Sequence, residues 1–125
     1  MVNFGAEIPF VQHLGFVLEL FEAGESAIRY TPLPEHLNSF AVTHGGACMT
    51  LLDVAMAVAA RSVEKDMGVV TIEMKTSFMR PAPGNGGALI AKGQACAHST
   101  GTFKYVRRRP NDVGSAQLAR PIPTD

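Results

Sequence analysis

From Ala47 to Ala60 the chain reads ACMTLLDVAMAVAA, and only Cys48, Thr50 and Asp53 bring polar side chains into it. The run starts at a Gly45-Gly46 pair and continues to about Val63, so a helix is expected over residues 46–63. A surface helix shows a polar stripe, whereas a helix apolar on nearly every side is buried on nearly every side. The rest of the fold must therefore cover this helix, either with one sheet wrapped around it or with a second chain.

The flanking segments supply that sheet. FVLELF (16–21) and SAIRYTP (26–32) alternate as strands, and Ala23-Gly24-Glu25 between them suits a hairpin turn. IPFVQHLG (8–15) predicts a short helical turn after Pro9. After the long helix, GVVTIEMKTSFMRP (68–81) predicts one long strand, with Val70, Ile72, Met74 and Thr76 alternating against Thr71, Glu73 and Lys75. APGNGG (82–87) is a turn by composition. ALIAKGQACAH (88–98) and TFKYVRR (102–108) are further strands. The order strand, strand, helix, strands predicts an α+β fold with an antiparallel sheet around one long helix. Residues 1–109 form one domain on this reading, and residues 110–125 an irregular tail.

Composition removes several function classes. The 125 residues carry 11 basic and 11 acidic side chains, so a globally basic nucleic-acid binder is excluded. No charge-free run of membrane-spanning length is present, and MVNFGAEIPF lacks the basic-then-apolar pattern of a signal peptide. Cys48 and Cys96 are too few and too far apart for a disulfide framework, which favours a reducing cytoplasm. The four histidines show no metal-ligand spacing, so no metal is expected.

An acid inside such a helix needs a reason, because burying an unpaired carboxylate is costly. A structural role bonded to Thr50, three residues earlier, is one reading of Asp53. The neighbours favour a chemical one. Gly45 and Gly46 lie at the helix N-terminus, where backbone N–H groups are unpaired and the dipole is positive. Such an end polarises a carbonyl oxygen and stabilises the oxyanion formed on attack. Asp53 is seven residues beyond Gly46, roughly 10 Å along the axis, which is too far to attack a carbonyl held at its own helix start. A two-fold dimer with antiparallel neighbouring helices removes the difficulty.

The run Asn38…His44-Gly45-Gly46…Leu52-Asp53 resembles the hotdog-fold acyl-coenzyme A thioesterases of the phenylacetate-degradation (PaaI-like) type. IPFVQHLGF near the start and VTIEMKTSFMRPAPG are similar to the same family, and the resemblance spans residues 8–93. It implies hydrolysis of an acyl- or aryl-coenzyme A thioester by a homodimer or a dimer of dimers, with sites shared between chains and no cofactor. Position by position, it implies that Asp53 is the nucleophile or the general base on water. Gly45 N–H polarises the thioester carbonyl, Asn38 and His44 hold the thioester or the water, and Thr71 helps orient the water. Gly46, Phe78, Arg80 and Met56 are the expected substrate contacts.

Each residue also has a plainer reading. His44 suits a loop cap, Asn38 a turn and Thr71 a strand. Arg80 and the Arg107-Arg108-Arg109 cluster either face solvent or pair with coenzyme A phosphates.

The C-terminal half departs from the family pattern. ALIAKG and HSTGTFKYVRR correspond to strands that the family separates by a further strand's worth of chain, so this half reads as shortened. Either that material is deleted, or 88–97 and 102–109 form a hairpin with each other. Two rival functions share the fold: a non-catalytic acyl-coenzyme A binding module, and a hydroxyacyl thioester dehydratase, ranked last because its His and acidic pair is missing.

Overall fold

The computed structural model describes residues 4–95 and 103–107. Helix α1 (Pro9–Leu14) leads into strands β1 (Val17–Glu22) and β2 (Glu25–Tyr30). A 3-10 turn (Pro34–His36) and a loop follow, then helix α2 (Gly45–Arg61), β3 (Met67–Thr71), β4 (Leu89–Gln94) and β5 (Phe103–Arg107). The β1–β2 turn places Ala23 and Gly24 at φ of 51° and 84°. Two successive positive φ values match the right-handed twist of a two-residue hairpin, and glycine meets the second without strain.

Helix α2 is capped at both ends by side chains. His44 Nδ1 accepts from Gly46 N–H at 2.8 Å, a satisfied N-cap. At the far end Ser62 Oγ accepts from Gly24 N–H at 2.7 Å and donates to Ala59 O at 2.7 Å. The helix C-terminus is thereby tied to the β1–β2 turn.

The inner face of the sheet is Leu18 from β1, Ser26, Ile28 and Tyr30 from β2, and Ala91 and Gly93 from β4, all buried. Leu51, Ala55 and Val58 of α2 close on it, each large apolar side chain contributing on the order of 1.5–3 kcal/mol on full burial. Helix and sheet approach closely because the residues between them are small. Ser26 Oγ donates to Ala55 O at 2.6 Å. A Cβ at Gly93 would overlap that same carbonyl and lie 2.6 Å from Ser26 Oγ. Gly93→Ala is therefore expected to destabilise the fold by about 2–3 kcal/mol through overpacking. Thermal unfolding followed by circular dichroism checks this; a midpoint within error of the parent would show that the gap can open freely.

Three sequence expectations change. The predicted strand 68–81 pairs only over Met67–Thr71; beyond it the chain stays outside any ladder among the described residues. Alternation partly survives there, with Met74 and Thr76 half-buried and Glu73 and Lys75 exposed, but Ile72 is exposed. Alternation is a property of the segment, whereas a ladder requires a neighbouring strand. Among the described residues, the 88–97/102–109 hairpin, one of the two readings left open, does not form. β4 pairs antiparallel with β2, β5 pairs antiparallel with β3, and the strand orders are β1-β2-β4 and β3-β5. Of the two ways expected to cover the long helix, the sheet of this chain alone does not complete the cover: Met49 and Leu52 are 36% and 39% exposed. The tail 110–125, Cys96, Arg108 and Arg109 lie outside the described residues, as does the side chain of Arg107.

Candidate active site

The loop from His36 to His44 is a closed unit. His44 N–H donates to His36 O at 2.9 Å, and Asn38 N–H donates to Val42 O at 2.8 Å. Asn38 Oδ1 accepts from Phe40 N–H at 2.8 Å and from Val42 N–H at 3.3 Å. Two backbone donors on one side-chain atom identify that atom as the oxygen, so the amide NH2 of Asn38 is the end left to donate. Thr43 clips the 82–83 segment over the helix start, its N–H bonding Ala82 O at 3.0 Å and its hydroxyl bonding Pro83 O at 2.7 Å.

These contacts shape a cavity of about 600 Å³ lined by Asn38, Gly45, Cys48, Phe78 and Arg80, among others. Gly45 N–H has no hydrogen-bond partner among the described residues, as expected of the first N–H of a helix. The Phe78 ring lies against Gly45; its edge atoms would sit 3.5 Å from a Cβ built there. Burial pushes the Cys48 thiol above its ordinary pKa, so it stays protonated at neutral pH and is a poor nucleophile.

Asp53 faces a second cavity of about 520 Å³, formed by Ile8, Pro9, Phe10, Thr50 and Val54 with Val11. Its partner is the last residue of β3. Thr71 Oγ1 donates to Asp53 Oδ1 at 2.6 Å, a short bond of the charge-assisted kind. The Thr50 pairing expected of a structural Asp53 is absent, because Thr50 donates to Gly46 O at 2.8 Å. Oδ2 has no hydrogen-bond partner among the described residues. Thr71 thus holds one carboxylate oxygen still and leaves the other to accept a proton or attack.

The expected site residues therefore fall into two groups. Asn38, Gly45, Phe78 and Arg80 share the first cavity; Asp53 lines the second, held by Thr71. His44 is exposed and its Nδ1 serves as the helix cap, which also occupies Gly46 N–H. Met56 is half-buried on α2 and lines neither cavity. The role of Thr43 and of segment 82–83 carries no sequence signal, since it depends on a contact across some forty residues of chain.

Among the described residues no cluster of three or more His, Cys, Asp or Glu side chains is placed to hold a metal. No helix among them is long and apolar enough to cross a membrane.

Residues 40–93 match the family model of the thioesterase superfamily. Comparison with curated protein sequences finds no match. Among solved structures, a conserved protein of Pseudomonas aeruginosa superposes with a TM-score of 0.71 over 95% of this chain and 92% of its own, at 20% identity. The E. coli PaaI protein from the phenylacetic acid degradation operon gives a TM-score of 0.62 and 27% identity, over 68% of this chain and 59% of its own. A variant of the Thermus thermophilus phenylacetic acid degradation protein PaaI gives 0.61 and 25%, over 67% and 70%. The chain has the hotdog fold, and its likeness is to thioesterases of the PaaI type.

Proposed function

We propose that this hotdog-fold chain hydrolyses an acyl- or aryl-coenzyme A thioester in the cytoplasm, in sites built between two protomers. The observation that carries the reading is the separation of Asp53 from Gly45 N–H into different cavities of one chain. Each cavity holds half of the chemistry. One has an oriented carboxylate beside apolar walls, and the other has unpaired N–H donors and a cation. A second copy brings the halves together.

In that assembly the thioester carbonyl accepts from the partner's Gly45 N–H and the amide NH2 of the partner's Asn38. Asp53 either removes a proton from water as water attacks the carbonyl carbon, or attacks it directly and is released by water. Negative charge moves to the carbonyl oxygen, where preorganised donors are worth several kcal/mol, on the order of 3 each. Collapse of the tetrahedral adduct expels the coenzyme A thiolate, which takes up a proton, and leaves the free acid. Ile8, Phe10 and Val54 offer apolar surface to the acyl or aryl group. Arg80, beside the partner's helix start, suits a coenzyme A phosphate.

The apolar surface left open on a single chain supports a partner. Phe40 and Met79, which line the cavity at the helix start, are 84% and 88% exposed, and Met49 and Leu52 on α2 are 36% and 39% exposed; large apolar side chains left in water at a site suit an interaction surface. A homodimer meets the requirement, and a dimer of dimers repeats it; light scattering distinguishes them.

The test is release of free thiol from a panel of aromatic and aliphatic acyl-coenzyme A esters. Turnover of at least one class is the expected result. Saturable binding with no thiol released would instead make the chain an acyl-coenzyme A binding module.

A further inference from the structure

His36 has no place in the chemistry above, yet it is 8% exposed and bonded on one ring nitrogen by two donors. Tyr30, fully buried at the end of β2, lies with its hydroxyl 2.8 Å from His36 Nδ1. Leu33 N–H reaches the same nitrogen at 3.1 Å. A backbone N–H only donates, so Nδ1 must carry a lone pair, and the Tyr30 hydroxyl must donate as well. Burial, and then the neighbouring Cys48, push the Tyr30 hydroxyl above its ordinary pKa, which keeps its proton available. The ring is thereby set as the Nε2–H tautomer. Its backbone carbonyl receives His44 N–H, and His44 caps the helix whose first free N–H is that of Gly45. Leu37 and Thr43 bridge between these two points.

We propose that Tyr30 and His36 act as positioning residues, an acceptor clamp that fixes the 36–44 loop and so aims the Asn38 amide and Gly45 N–H at the thioester carbonyl. The inference rests on the proposed hydrolase reading for its kinetic consequence, but not for its structural one.

Asparagine places an oxygen where His36 has Nδ1, whereas leucine leaves both donors unpaired. The experiment compares the parent, His36→Asn, His36→Leu and Tyr30→Phe, under conditions where circular dichroism shows all four folded. Amide hydrogen exchange needs no activity. His36→Leu should speed exchange at Val42 and His44 by about ten-fold or more while Ile28 and Ala91 in the sheet keep the parental rate, because local opening is separate from global unfolding. His36→Asn should restore protection. Tyr30→Phe removes one donor and should loosen the same two amides to a smaller extent, and it decides the matter if the leucine variant does not fold. In kinetics, His36→Leu should lower kcat by roughly ten- to a hundred-fold with KM little changed, since misaimed donors are missed mainly in the transition state, and His36→Asn should recover most of it.

Parental exchange at Val42 and His44 in both His36→Leu and Tyr30→Phe overturns the proposal, as does an asparagine variant no better than leucine. A parent protein that releases no thiol overturns the hydrolase reading instead, and the exchange rates still decide whether the clamp exists.

Discussion

Asp53→Ala is expected to leave the chain folded and to lower thioester hydrolysis by on the order of 10²–10⁴-fold, the range contributed by a positioned general base. The fold should tolerate the change because the carboxylate is half-buried and bonded to one hydroxyl, that of Thr71. Nothing in the α2–sheet core leans on it. Asp53→Asn is the sharper form of the test. Asparagine keeps an oxygen for the Thr71 hydroxyl and occupies the same volume, but it neither takes a proton at neutral pH nor attacks a carbonyl well. Thiol release, measured beside circular dichroism, reads both effects. Parental turnover in either variant would remove Asp53 from the mechanism.

Gly45→Pro addresses the other half of the site. Proline is well accommodated at the first position of a helix, where its missing N–H has no partner to lose. His44 already has φ −60° and ψ 137°, the extended conformation required of the residue before proline. The substitution therefore deletes one N–H at little cost to folding. Loss of an oxyanion donor is expected to reduce kcat by about 10²–10³-fold.

Together the two variants test the shared site. Equal mixing of subunits makes half of the dimers mixed, and each mixed dimer holds one site with both native halves, so about a quarter of parental activity should return. No recovery on mixing, with subunit exchange verified, would mean that acid and donor act within one chain.

Much of this is legible in the sequence. The α2 sequence needed covering because its apolar residues run around the whole cylinder. The glycine pair marked its start, and the Ala23-Gly24 turn marked the hairpin; these are short-range effects of backbone freedom and side-chain spacing. The lone acid stood out for the same local reason. Segment 72–81 shows where such signals end. Its alternation was readable, but whether it joins a ladder depends on a neighbour that the segment does not specify.

The chain order of apolar and polar residues thus determined the helix, its start, the lone acid within it and the strand-rich surroundings, because each follows from interactions within a few residues. Tertiary packing alone decided that Asp53 meets Thr71 rather than Thr50, that β4 and β5 pair with β2 and β3 rather than each other, and that Tyr30 reaches His36. It also decided that Asp53 and Gly45 open into separate cavities. No helix or strand spacing relates the two members of any of those pairings, even Tyr30 and His36 only six residues apart, and only the closed shape of the core brings them within hydrogen-bonding reach.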